Sequence, residues 1–167
     1  MRLKASDRKE ITDKLSKAVE LRINPHNDPR IYWSKEVTFY SYTTGGNSIV
    51  NSSVRVDYME FKPVNLTVSG IEHGDVYVYE VKSCIDDHKS GNGLNFIGDY
   101  NYLVMPEELY AELKDHIPYR VGVLCPEDMS AEVWKLRSVK PTKRTDRIYP
   151  LSTVLLAMFR SANRDRK

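Results

Sequence analysis

Cysteine is scarce in this chain: Cys84 and Cys125 are the two it holds in 167 residues. They show no CxxC spacing and no histidine partner at zinc-finger distance, so there is no zinc signature. Both end apolar runs, where a buried free thiol is expected. Unpaired thiols fit a reducing compartment, and the expected location is cytoplasmic. Long apolar runs are absent too, so no bilayer-spanning segment and no membrane partner are expected. The first residues, MRLKASDRKE, have no apolar core, which argues against a secretory leader. Nor is there a surplus of one charge. At a formal +2, no overall field commits the chain to nucleic acid, and any attraction to phosphate must come from local patches. One basic patch runs Arg137, Lys140, Lys143, Arg144, Arg147, and another closes the chain at Arg160, Arg164, Arg166 and Lys167. Either is a phosphate clamp or a solvated face.

Repeats and low-complexity linkers are also missing, so residues 1–167 read as a single domain, long enough to bury a core. A first helix is expected over about Asp7–Arg22, with Asp7 and Glu10 in capping-box spacing and Ile11, Leu15, Ala18 and Val19 on one face. Asn24-Pro25 ends it. Strands follow at about Glu36–Tyr42, Ser53–Lys62 and Asp75–Cys84. A turn at 43–48 and a loop at Val64–Gly74 separate them. Ile85–Asp99 reads as loop with a short helix. Tyr102–Met105 and Arg120–Cys125 read as buried strands around a helix at Glu107–His116. Val133–Val139 reads as an edge strand, and Leu151–Ala162 as a closing helix. Antiparallel strands followed by a β-α-β crossover imply an α/β fold, a mixed sheet flanked by helices.

The chemistry concentrates in DVYVYEVKSC. Side chains alternate faces along a strand, so Val76, Val78, Glu80, Lys82 and Cys84 share one face. That face is apolar until it meets a carboxylate and an ammonium, and buried charges need partners or a metal. Folding the hairpin so that Phe61 meets Val76 and Met59 meets Val78 also sets Asp57 opposite Glu80. Two adjacent carboxylates repel when ionised. A hard divalent cation, Mg²⁺ or Mn²⁺, relieves this, with the carbonyl of Val81 as a further ligand. Such a cation activates water towards a phosphate, while Lys82 orients that water or stabilises developing charge. The competing reading makes Glu80 and Lys82 an ion pair at a sheet edge, and the chain an α/β domain of another kind.

The pattern Asp57 … Glu80-Val81-Lys82 resembles the motif of the PD-(D/E)XK nuclease superfamily, with Val56 where a proline is usual. Closer still is a resemblance to the MmcB-like DNA repair family over about residues 36–127. It rests on Arg55-Val56-Asp57, Glu80-Val81-Lys82-Ser83, Asp87, Asp99, Tyr102-Leu103-Val104-Met105-Pro106 and Gly122-Val123-Leu124. The resemblance implies a restriction-endonuclease-like α-β-β-β-α-β core over about 7–127, with a C-terminal strand and basic helix at 133–167. It also implies Mg²⁺-dependent hydrolysis of DNA in bacterial or phage repair, recombination or defence. Asp57, Glu80 and Lys82 would be catalytic; Asp57, Glu80 and Val81 would hold metal. The alternative is a non-catalytic DNA-binding or complex-forming member of the same fold. Many superfamily members add a glutamate from the first helix; Glu20, about 180° around the helix from Ile11, is expected to face solvent, and Glu10, at the edge of the apolar stripe, is geometrically better. Asp87 belongs at the site's periphery. Asp99 either caps its loop or holds Lys82. Lys140, Lys143 and Arg144 are the candidate DNA clamps. A homodimer is one way for a protein of this size to cut both strands.

Overall fold

The computed structural model describes residues 4–41, 52–91 and 94–165, so the turn expected at 43–48 lies outside the described residues. Helix α1 (Ala5–Ile23) buries Leu15, Ala18, Val19 and Ile23. Its cap is Lys4, without a side-chain bond, so Asp7 sits inside the first turn instead of capping it. There its charge still suits the helix dipole. Asn24 ends the helix by accepting the Asp28 N–H and donating to the Asp28 carbonyl.

Strands β1 (Tyr32–Ser41) and β2 (Ser52–Lys62) precede a short helix α2 (Val68–Glu72) and strand β3 (Asp75–Val81). After them come α3 (Ile85–Lys89), β4 (Tyr100–Val104), α4 (Glu107–Leu113), β5 (Gly122–Pro126), β6 (Leu136–Lys140) and α5 (Leu151–Arg164). The six strands form one mixed sheet in sequence order. β1, β2 and β3 are antiparallel, β3, β4 and β5 parallel, and β6 returns antiparallel at the edge. The fold is therefore α/β, a six-stranded mixed sheet flanked by helices. β3 is shorter than expected, because Cys84 leaves the strand to cap α3.

Three apolar clusters hold the layers together. On one face α1 packs on Tyr58, Tyr79, Val81, Val104 and Leu124. On the other, α5 covers Phe39, Met59, Phe61, Val76 and Val78, and α4 covers Leu103, Met105, Val123 and Cys125. The split follows the strand alternation: Val104 faces α1, and its neighbours Leu103 and Met105 face α4. Among the described residues, no helix is long and apolar enough to cross a membrane.

Candidate active site

β2 and β3 pair with Phe61 opposite Val76 and Met59 opposite Val78, the register expected from the sequence. The last rung is Tyr58 with Tyr79. One step further, where Asp57 comes level with Glu80, the strands part. β3 ends at Val81, while β1 and β2 continue past it as a two-stranded arm from Val37 with Val56 to Ser41 with Ser52.

The parting coincides with a slip in the alternation of both arm strands. Met59 and Phe61 face α5, yet Val56, three residues from Met59, belongs to the same apolar cluster. In β1 the hydroxyl of Ser34 donates to the α5 carbonyl of Met158, yet Val37 and Phe39 also pack on that side. Both strands thus change face at one level, at Glu36 and Asp57, the one pair the ladder skips between Lys35–Tyr58 and Val37–Val56. Glu36 makes the change with a φ of 50°, a left-handed conformation costing a non-glycine residue roughly 1 kcal/mol. The end of α5 braces it. Ser161 Oγ donates to the Lys35 carbonyl. Arg164 Nη2 donates to the Glu36 carbonyl at 3.3 Å and lies 3.7 Å from its carboxylate.

Asp57, at the slip, sits in the gap between β2 and β3. Its Oδ2 accepts the Val81 N–H at 2.9 Å, replacing the ladder bond that the parting strands no longer make. A strand residue's N–H and C=O leave on the same edge, so the Val81 carbonyl also faces Asp57.

Glu80 is 2% exposed, and its Oε1 is buried without a hydrogen-bond partner. Burial, then the Asp57 charge and a side-chain hydrogen bond to Asp57, push its carboxyl up to about 9. The Lys82 charge and the Asp57 N–H pull the other way but do not prevail. Glu80 therefore keeps its proton at neutral pH when no cation is present. An orphaned buried carboxylate oxygen beside a second carboxylate and a strand carbonyl is a donor set that fits a hard divalent cation. Two carboxylates with water or substrate phosphate filling the remaining positions suit Mg²⁺. Among the described residues no group of three Asp, Glu, His or Cys side chains could hold a metal. This two-carboxylate set therefore depends on backbone, water or substrate oxygen.

Lys82 is 3% exposed, and its Nζ lies 3.7 Å from Asp87 Oδ1. Asp87, on α3, also accepts the Ser83 N–H on Oδ2 at 3.4 Å. Asp57, Glu80, Lys82 and Asp87 all line one cleft of about 810 Å³. It lies between α1, the β1–β2 arm and the segment after β3.

A solved structure of a protein of unknown function from Silicibacter pomeroyi has this fold. The match covers 99% of this chain and 90% of that one, with a TM-score of 0.52 and 18% identity. At that identity the likeness concerns the fold alone. No family model and no curated protein matches the chain.

Several residues singled out from the sequence lie elsewhere. Glu10 pairs with Lys14 at 3.2 Å on the outer flank of α1, away from the cleft. Glu20, expected to face solvent, accepts the Tyr58 hydroxyl at 3.1 Å and lies 3.8 Å from Lys35, which lines the cleft. Asp99 does not hold Lys82. It accepts the Val76 N–H at 2.8 Å and lies 3.4 Å from Arg147 and 3.7 Å from Arg144. Those contacts are at the start of β3, about 20 Å along the strand from Lys82. The candidate clamps are at that same end, and each is engaged within the fold. Lys140 donates to the carbonyls of Pro118 and Val121, Lys143 to the Tyr119 hydroxyl, and Arg144 to Asp75. Tyr100 and Tyr102 stack on Tyr77 and Tyr79. Cleft-lining residues that sequence reasoning did not single out include Thr12, Ser16, Lys35 and Asn95.

This placement separates structural from site carboxylates. Asp99→Ala strands Arg147 and an N–H of β3, so it should cost about 3 kcal/mol of stability in denaturant unfolding. Mn²⁺ affinity of the folded fraction should stay unchanged.

Proposed function

We propose that the chain is a divalent-metal-dependent nuclease hydrolysing DNA phosphodiester bonds, a PD-(D/E)XK-type enzyme with Asp57, Glu80 and Lys82 as its reactive set. The observation that carries the reading is Glu80. A fully buried carboxylate oxygen with no hydrogen-bond partner, pressed against a second carboxylate, is unfavourable unless a cation completes it. The motif Asp57 … Glu80-Val81-Lys82, in the register that joins the two carboxylates, supports the same conclusion. So does its resemblance to the MmcB-like DNA repair family, which suggests a role in bacterial or phage repair, recombination or defence.

Asp57, Glu80 and the Val81 carbonyl would hold Mg²⁺ or Mn²⁺. Bound there, the ion would lower the pKa of a water and draw charge from a phosphoryl oxygen. Lys82 supplies a fixed positive charge at the cleft floor, where the phosphate gains negative charge as the bond breaks. Asp87, beside the ammonium, sets its direction. Asp57 keeps one oxygen on the Val81 N–H, which fixes the carboxylate's angle in the gap.

Incubation of wild type, Asp57→Ala and Lys82→Ala with plasmid and single-stranded DNA tests the proposal. Wild type should cut with Mg²⁺ or Mn²⁺ and stop with a chelator; Asp57→Ala should be inactive and Lys82→Ala slower by about 10²–10³-fold, both while still folded. Cutting that persists in Asp57→Ala would place the activity in another protein or another site.

A further inference from the structure

The candidate site also limits the form in which DNA can reach it, an inference that rests on the nuclease reading above. The two groups that must meet the scissile phosphate, Glu80 and Lys82, are 2% and 3% exposed. A phosphate has to descend between Thr12 and Ser16 of α1 and the β1–β2 pair bearing Lys35 and Arg55. At about 810 Å³ the cleft is the size of sites that enclose a small ligand. It admits a short length of one strand, whereas a rigid duplex presents its phosphates on a broad convex surface.

Charge points the same way. The described cations lining the cleft are Lys35, Arg55 and Lys82, set against four carboxylates, Glu36, Asp57, Glu80 and Asp87. Lys35 already has Glu20 at 3.8 Å. Duplex-binding proteins commonly neutralise about 6–10 phosphates. The basic residues Lys140, Lys143 and Arg144 do not extend this surface, being engaged at the other end of β3. Tyr58 is the single aromatic among the described lining residues, and it is buried and bonded to Glu20. Among the described residues no ring is therefore presented there for a base to stack on, and the described contacts fall on phosphate and sugar.

We infer that the cleft takes one DNA strand at a time, as a single strand, flap or frayed end, with little preference for base sequence, and excludes intact duplex.

The test uses the full chain and one labelled oligonucleotide in three forms: free, as a flap, and locked in a duplex closed by hairpins at both ends. Cleavage is followed with Mn²⁺, and binding by anisotropy with Ca²⁺ over a salt series. The free and flap forms should be cut at least 10-fold faster than the closed duplex. Single-strand binding should fall with salt at a log–log slope of about −2, the value for two or three phosphate contacts. Preferential single-strand binding without cleavage would support this inference while removing the hydrolytic reading. Equal or faster cutting of the closed duplex, or a slope near −6, would overturn this inference and leave the hydrolytic reading standing. Neither binding nor cutting of any form would overturn both.

Discussion

Glu80→Gln should leave the metal-free protein more stable at pH 8 than wild type, and unable to hold a divalent cation. The carboxyl of Glu80 is pushed up to about 9 by burial and by Asp57, against an ordinary glutamate value of about 4.3 in the unfolded chain. Between those two values the folded state keeps a proton that the unfolded state has released. Stability from this group is thus fully present below about pH 4 and is lost as pH rises through about 9. Melting of the metal-free wild type should therefore fall steadily from pH 5 to pH 9, and Glu80→Gln should remove most of that slope. At pH 8 the variant should melt about 5–10 °C higher, reflecting the few kcal/mol it costs wild type to keep Glu80 protonated at that pH. Saturating Mg²⁺ should reverse the order, because the cation favours the ionised carboxylate that only wild type supplies. A melting temperature independent of pH, or a variant less stable than wild type at pH 8 without metal, would mean that Glu80 is satisfied by something other than a cation.

Lys82→Ala should separate metal binding from bond cleavage. Lys82 provides none of the oxygen ligands, and its removal leaves the negative charge of Asp57, Glu80 and Asp87 less opposed. Mn²⁺ affinity should hold or rise slightly. Cleavage should fall by about 10²–10³-fold, the usual penalty for deleting one preorganised charge from a developing oxyanion. Lys82→Arg should recover little of the rate, since the planar guanidinium is wider than the ammonium held 3.7 Å from Asp87. If Mn²⁺ binding and cleavage were lost together in Lys82→Ala, the lysine would instead be holding the two carboxylates in place.

The two carboxylates and the lysine were legible in the sequence because three simple rules agreed on them. Alternation set Glu80 and Lys82 on the face of Val76 and Val78, and the apolar pairs of Phe61 and Met59 set the hairpin register. The same register brings Asp57 level with Glu80. The slip at Glu36 and Asp57 left no trace in composition, because a glutamate and not a glycine takes the left-handed conformation. Nor did it upset the register, since β1 and β2 change face in step. It did hide the start of β1, which begins at Tyr32, four residues before the expected Glu36.

The misplaced carboxylates have geometric causes. Glu20 was set opposite Ile11, but Ile11 lies at one edge of the buried stripe formed by Leu15, Ala18, Val19 and Ile23. Measured from the middle of that stripe, Glu20 falls on the same flank as Thr12 and Ser16, which line the cleft, and Glu10 on the opposite flank. Asp99 went astray because β4 runs parallel to β3, with Tyr100 beside Tyr77. The residue preceding β4 must then lie near the beginning of β3, not near its end. The basic segment after β6 follows Asp99 to that end, where Arg144 and Arg147 meet it.

Calorimetric titration of Mn²⁺ into wild type and Asp57→Ala tests the central claim most directly. Wild type should bind one ion at pH 7.5 with release of the proton held by Glu80, and Asp57→Ala should bind none while remaining folded. Equal binding by both proteins, or none by wild type even with a non-cleavable phosphorothioate strand present, would contradict the assignment of this cleft as a metal-dependent active site.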